Sequence, residues 1–449
     1  MVAAKQSPTQ GYPRPVYIID GARTPFLKAK GRPGPFSAAD LAVNVGRGLL
    51  ARQPFAADQI DEVILGCVIP SADEANIARV VSLRLGCGER VPAWTVQRNC
   101  ASGMQALATA AERIAAGYSG LILAGGTEAM SQAPVLWRAS MVNKLADWQQ
   151  ARNFFQKLKV LGSLRPADLA PVIGLLQGLT DPTTNLSMGQ TAENLATRFD
   201  ISREQMDRFA LQSHQRLAAA IDNAALEEII PLYSTDGRAI EYDEGLRRDG
   251  DLGKLAKLKP VFDRTYGRVT AGNSAQVTDG AALLLLADAA TVERFDLPVL
   301  GELLGTAWSG LDPAQMGLGP VYAMDAVLRN HPGPLPPIDL WEINEAFAGQ
   351  VLACLAALAD EEWQQQELGG ATLVPEISTE RLNVDGGAVA IGHPVGASGA
   401  RIVLHLLQAL RRRNASHGIA SLCIGGGQGG AMLVAAGRQD AQPGKGEHK

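Results

Sequence analysis

The stretch VQRNCASGMQALATA, residues 96–110, places Cys100 just before a run of small residues that reads as a helix. Alone, it leaves two readings open: a small apolar core residue, as most unpaired cysteines are, or a nucleophile at a helix start. Working outward, the helix covers about residues 102–116 and leads into the strand LILAGG, ending in Gly125 and Gly126. The same order returns near the end of the chain. There the loop NVDGGAVAIGHPVGASGA holds His393, the helix RIVLHLLQALRRR follows, and the strand ASLCIGGG ends in Gly425 to Gly427. In this second helix Val403, Leu406, Leu407 and Leu410 keep the i, i+3, i+4, i+7 spacing that buries one face. The first helix is rich in alanine, which lets neighbouring backbones approach closely. This internal echo predicts two related α/β halves that bring both motifs to one central site.

A chain of 449 residues has room for about three domains. With 46% hydrophobic and 19% charged residues, its composition is that of a globular α/β enzyme and excludes disordered and fibrous classes. Net charge of -5, with no basic cluster beyond Arg411 to Arg413 at a helix end, argues against nucleic-acid binding. The five cysteines, Cys67, Cys87, Cys100, Cys354 and Cys423, are widely spread without a C-x-x-C pair, so neither a disulfide framework nor a zinc site is expected. The opening MVAAKQSPTQGYPRP lacks a signal-peptide apolar core, and no run approaches the roughly 20 apolar residues of a membrane span. A cytoplasmic protein is expected.

The first strong element, in PVYIIDGARTPF, is a strand over residues 16–19 broken by Asp20-Gly21 and preceded by a loose tail. EVILGCVIP reads as a buried strand with Cys67 in the core. Residues 132–260 read as an inserted lobe, with polar helices and loops rich in Pro, Thr and Asp. Within it LRPADLAPVIGLLQGL is apolar but punctuated by Pro166 and Pro171; it is either a packed lid segment or a surface-binding or partner-binding patch.

A nucleophilic cysteine acts as its thiolate, and a helix N-terminus or an imidazole lowers the thiol pKa from about 8.5. Cys100 is placed for the first effect and His393, fixed between Gly392 and Pro394, for the second. Cys423 ends an apolar strand before IGGGQGG, where bare backbone N–H groups suit either an oxyanion or a tight turn. In DLWEINEAFAGQ, Asn344 and Glu345 stand at a strand-to-helix boundary, where they cap the helix or present an amide to a substrate oxygen or fixed water. Cys87 and Cys354 read as packing, His214 and His405 as structural, and His331, His417 and His448 carry no recognisable context.

NCASGMQA, NEAFA, GGAVAIGHPVGASGAR and CIGGGQGG, in that order, resemble the four motifs of the thiolase family. DGARTPF, AGGTEAMS, MGQTAENLA, LAKLKPVF, VTAGNSAQVTDGAA and MGLGPVYA extend the resemblance over residues 16–436. The fold it implies has two α/β halves with mixed five-stranded sheets, layered α/β/α/β/α, plus a loop domain. Its divisions are 15–131 with 262–293 for the N-terminal half, 132–261 for the loop domain and 294–437 for the C-terminal half.

The activity implied is CoA-dependent cleavage of a 3-ketoacyl-CoA to acetyl-CoA and a shortened acyl-CoA, with no tightly bound cofactor and no metal. By resemblance, Cys100 accepts the acyl group, His393 takes its proton, and Cys423 protonates the leaving enolate and deprotonates the incoming CoA thiol. Asn344 holds a water that forms one oxyanion hole with His393, and the N–H groups of Cys100 and Gly425 form the other. Met188, Arg247, Phe262, Ser274 and Phe347 are implied contacts of CoA.

Ser187, where many members have His, and NSAQ at residues 273–276 depart from the common pattern and put acyl-chain preference in doubt. GNSAQVTDG and the long segment between Trp137 and Met188 look like the thiolase subunits of fatty-acid β-oxidation complexes. That likeness implies a degradative role, a homodimer or homotetramer, a hydratase/dehydrogenase partner subunit, and docking of the apolar segment on a partner or a membrane surface. The alternatives are a biosynthetic acetoacetyl-CoA thiolase, a ketoacyl-synthase-type enzyme, which has no need of Cys423, and a non-catalytic CoA-binding scaffold.

Overall fold

The computed structural model describes residues 11–234 and 237–437; His448 and the first ten residues of the expected tail lie outside the described residues. The chain begins with β1 (Tyr17–Arg23), α1 (Ala38–Leu50), β2 (Glu62–Gly66), α2 (Ile77–Arg84), β3 (Ala93–Val96), α3 (Ser102–Ala115) and β4 (Leu121–Ala129). An excursion follows, holding α4 (Ala139–Gln150), α5 (Phe154–Gly162), α6 (Met188–Arg198) and α7 (Arg203–Asp222), before β5 (Thr278–Ala287) returns to the sheet. The second half runs β6 (Gly301–Gly310), α8 (Gly319–Arg329), β7 (Leu340–Ile343), α9 (Ala348–Ala359), α10 (Val395–Arg412), β8 (His417–Ile424) and β9 (Gln428–Ala436).

The internal echo is topological. The first half orders its strands β3-β2-β4-β5-β1, and the second orders β7-β8-β9-β6, the same winding with α10 in the place of α3. The place matching β3 is held by Leu382, a single parallel bridge to Trp341; the left-handed Asn383 (φ 45°) then turns the chain away. The edge strands β1 and β6 pair through Tyr17 with Glu302 and Ile18 with Gly301, so the two sheets join at one short ladder.

Five layers result. β5 is apolar along both faces, as strands buried on both sides are. Its Ala282, Leu284 and Leu286 face a central core with α3 and α10, while Leu283 and Leu285 face an outer core with α1 and α2. Beyond the second sheet, α8 packs with Ile343, Ile419 and Leu433. Helices α3 and α10 touch backbone to backbone: a Cβ on Gly103 would stand 2.7 Å from the carbonyl oxygen of Gly396, and one on Gly399 2.6 Å from the nitrogen of Met104.

These contacts explain three departures from the sequence reading. β4 does not end at its glycines but continues to Ala129, because Gly126 gives room to α10; a Cβ there would lie 2.0 Å from Gly396 O. α10 starts at Val395, six residues before Arg401, since its small first turns are its contact with α3. β1 does not break at Asp20-Gly21: a bulge between Ile18 and Asp20 absorbs the irregularity, and Gly21 admits Leu404 of α10.

The excursion is tied down by buried ions. Arg23 of β1 donates to both oxygens of Asp243 at 2.7 and 3.0 Å and to Glu228 at 3.3 Å. His405 of α10 joins Glu228 (3.0 Å) to Asp385 (3.1 Å), which also pairs with Arg412. Burial opposes a charge on His405, but the two carboxylates outweigh it and raise its pKa to about 10. Cys354 lies buried in α9, Cys87 is buried, and Cys67, just past β2, is buried against Glu128. In α7, His214 accepts the backbone N–H of Arg247 at 3.2 Å.

Candidate active site

Cys100 stands one residue before the N-cap of α3, on a tight turn. Arg98 N–H donates to Ser102 Oγ at 2.9 Å, Ser102 Oγ donates to Asn99 O at 2.7 Å, and Asn99 is left-handed with φ 44°. Asn99 Nδ2 also donates to Gly425 O at 2.7 Å, fastening this turn to the glycine loop after β8. The left-handed Gly426 and Gly427 (φ 88° and 76°) form that loop.

Two cavities meet at half-buried Cys100. One, of about 260 Å³, is walled by Cys100, His393, Cys423, Phe262, Phe347 and Ser274. The other, of about 540 Å³, runs past Ile69, Asn99, Leu175, Gly178 and Gly425. Both share Met188, Leu179 and Val395.

His393 is oriented by the helix that follows it. Its Nδ1 lies 2.6 Å from Ser398 Oγ, and that hydroxyl spends its proton on Pro394 O at 3.0 Å. Nδ1 therefore carries the ring hydrogen, and the lone pair is left on Nε2, a buried atom with no protein partner. Burial, helped by Arg401, pushes the His393 pKa down to about 4, so the ring is a neutral base at physiological pH.

The helix-capping reading of Asn344 and Glu345 does not hold: α9 starts at Ala348 with Phe347 at its N-cap and no side-chain cap. Glu345 instead braces the loop carrying His393, accepting from Ser213 Oγ (2.6 Å), Asn383 Nδ2 (2.9 Å) and Val389 N (3.2 Å). Asn344 is buried with both side-chain polar atoms unpartnered; it lines neither cavity, although Ala346 and Phe347 do.

The Cys100 thiol pKa is not lowered as its helix start and His393 suggested. Burial raises the Cys100 pKa above the usual thiol value, more than the N–H groups of Gly425 and Cys100 lower it. Burial and the neighbouring Cys100 raise Cys423 further still. A neutral His393 supplies no charge to offset the desolvation, and the helix terminus alone is too weak.

Among the other anticipated residues, Met188, Phe262, Ser274 and Phe347 line the first cavity, and the Phe262 and Phe347 rings meet edge to face at 5.9 Å. Arg247 lies outside both cavities, exposed. Ser187 caps α6 by exchanging bonds with Gln190. Sequence reading missed Ser398, Asn99 and the Glu345 brace. Gln276, the last residue of the NSAQ departure, walls the first cavity with a buried, unpartnered Oε1, and its carbonyl accepts His393 N–H at 3.1 Å.

Two α/β halves wound alike, with a cysteine from one and a histidine and a second cysteine from the other at one cavity, define a class, and this chain belongs to the thiolase family. Residues 16–290 match the thiolase N-terminal domain and residues 297–436 the thiolase C-terminal domain. The chain is 38% identical to proteins of Yersinia pestis and Yersinia pseudotuberculosis named 3-ketoacyl-CoA thiolase, over 93% of this chain and 96% of theirs. It superposes on human mitochondrial 3-ketoacyl-CoA thiolase, solved in complex with CoA, with a TM-score of 0.82 at 35% identity, covering 96% of this chain and 100% of that one. Against the acetyl-CoA acetyltransferase of Bacillus anthracis the TM-score is 0.80 at 34% identity, covering 96% and 100%.

Proposed function

We propose that this protein cleaves 3-ketoacyl-CoA with free CoA, releasing acetyl-CoA and an acyl-CoA shortened by two carbons, in the degradative direction. The observation carrying this reading is the bare Nε2 of a neutral His393 in the same cavity as two protonated thiols. His393 Nε2 takes the Cys100 proton as Sγ adds to the 3-keto carbon. Breaking of the C2–C3 bond leaves the acyl group on Cys100 and an acetyl-CoA enolate, which Cys423 protonates at carbon. The Cys423 thiolate then takes the proton of incoming CoA, whose sulfur attacks the thioester and expels the Cys100 thiolate, which takes its proton back from His393 Nε2. The covalent intermediate divides one hard cleavage into two easier steps.

In this scheme the N–H groups of Cys100 and Gly425, both directed at Sγ, hold the oxygen of the acyl-enzyme. Asn344, with its unpartnered amide, orients a water that works with His393 on the enolate oxygen. Met188, Phe262, Ser274 and Phe347 flank the pantetheine arm and Arg247 reaches the nucleotide end. In this reading the N-terminal half comprises 15–131 with 262–293, the loop domain 132–261 and the C-terminal half 294–437. The second cavity, larger than an acetyl group needs, supports acyl chains longer than acetoacetyl and so a β-oxidation role.

The test is CoA-dependent loss of the magnesium-3-ketoacyl-CoA absorbance over several chain lengths. Wild type cleaves, Cys100→Ala is inactive, and Cys423→Ala loses about 10²- to 10⁴-fold, the usual worth of a positioned acid/base. A wild type that cleaves no chain length, or a Cys423→Ala variant at full rate, overturns the proposal.

A further inference from the structure

Residues 274–277 form a strap along the wall of the first cavity. On one edge Ala275 N–H donates to Ala346 O at 3.0 Å, in the loop that carries Asn344; on the other, Gln276 O accepts the N–H of His393 at 3.1 Å. Gln276 therefore stands beside the groups that the proposed mechanism gathers around the thioester.

Its side chain is fixed in orientation. One end of the amide meets two carbonyl oxygens, Gly245 O at 2.8 Å and Val389 O at 3.5 Å, so that end is the nitrogen and its hydrogens are spent. Turned over, the amide would set its own oxygen against both carbonyls. The Gly245 backbone also presses on it: a Cβ there would stand 2.4 Å from Ala390 O and 3.0 Å from Gln276 Nε2. What remains is Oε1, buried and with no donor from any described residue. A buried carbonyl without a donor is costly, and native folds leave few.

The rest of the wall says which donor it is kept for. No carboxylate lines this cavity among the described residues, Gln276 supplies its one side-chain carbonyl, and Met188, Phe262 and Phe347 make much of the remainder apolar. The hydroxyls of Thr180, Ser187 and Ser274 are already engaged, donating to Leu176 O (3.1 Å), Gln190 Oε1 (3.0 Å) and Thr270 O (2.7 Å). A slot without a carboxylate, offering one neutral acceptor, suits a neutral N–H donor and not a cation. In a CoA thioester the first N–H lies two carbons from sulfur, and in the proposed reaction that sulfur enters the cavity shared by Cys100, His393 and Cys423.

We propose that Gln276 Oε1 accepts the amide N–H of the pantetheine arm nearest the thioester sulfur, which makes Gln276 a specificity-determining residue for amide-bearing thioesters. The inference rests on the thiolase reading for the identity of that arm.

The test compares two acetoacetyl thioesters, that of N-acetylcysteamine and that of the analogue in which a methylene replaces its N–H, as kcat/KM in CoA-dependent thiolysis. Wild type favours the amide thioester. Gln276→Leu and Gln276→Met, which keep most of the volume and lose the acceptor, shrink that preference by about 2- to 12-fold, the worth of one neutral hydrogen bond. The preference is a ratio within each protein, so a general loss from freeing Gly245 O and Val389 O cancels. A preference unchanged in both variants overturns the proposal, as does one that survives them and vanishes in Ser274→Ala. Protection of Cys100 from iodoacetamide by the S-methyl thioethers of the same two compounds is read without turnover. If wild type cleaves no 3-ketoacyl-CoA yet is protected better by the amide thioether, and Gln276→Leu is not, the thiolase reading fails and this contact stands. Equal protection of wild type by both thioethers overturns the contact whatever the turnover.

Discussion

Replacing Ser398 with alanine isolates the device that aims His393. The hydroxyl sits 2.6 Å from Nδ1 and, at 1% exposure, has no water to take its place. Its loss leaves the Nδ1–H buried without an acceptor, at a cost of about 1–3 kcal/mol. The ring escapes this cost by moving its proton to Nε2, which removes the lone pair from the cavity and with it the base for Cys100. At about 1.4 kcal/mol per factor of ten, the productive tautomer becomes about 5- to 150-fold rarer, and kcat falls by the same factor. Ser398 lines neither cavity, so KM for CoA and for the ketoacyl substrate stays at the wild-type value. Steady-state thiolysis by Ser398→Ala, beside its thermal unfolding midpoint, measures both quantities. A native midpoint with kcat within about twofold of wild type refutes the tautomer argument, because the free-energy cost is then below about 0.4 kcal/mol.

Two further outcomes follow from the titrating groups. Burial holds the Cys100 thiol above its usual pKa, so inactivation by iodoacetamide in the free enzyme is slow at pH 7 and still rising through pH 9; a rate plateau below pH 8 contradicts this. His405 has a folded-state pKa raised to about 10, from about 6.5. Its stabilisation is complete below about pH 6.5 and lost as pH rises through about 10. The unfolding midpoint of wild type therefore drops across that window, and His405→Gln, less stable below about pH 10 because Glu228 and Asp385 keep only Arg23 and Arg412 as cationic partners, shows a shallower drop. Equal slopes for the two proteins rule out His405 as the group responsible.

The parts of the site that the sequence made legible are those with local signatures. Cys100, His393 and Cys423 each sit in a loop, helix and strand pattern that occurs twice, and small residues flank each motif. Ser398 escaped notice because α10 was expected from Arg401; the glycine-rich turns that look like loop are helical only because α3 lies against them. Glu345 looked like a helix cap, and its actual partners, Ser213 and Asn383, are 132 and 38 residues away, beyond any local pattern. The thiol pKa values were misjudged for a related reason. A helix terminus is visible in sequence, whereas the desolvation that outweighs it exists only once both halves close over the cavity.

The backbone contact between α3 and α10 has a consequence for how such a protein changes over time. Cys100 precedes the first turn of one helix and His393 precedes that of the other, and those turns meet through glycine, with peptide atoms as the spacers. The separation of Cys100 and His393, nucleophile and base in the proposed mechanism, is thus set by covalent geometry common to all residues, insulated from drift in the side chains that wall the cavities. The cavity walls, at residues such as Leu175 and Leu179, are free to diversify while the two motifs keep their separation.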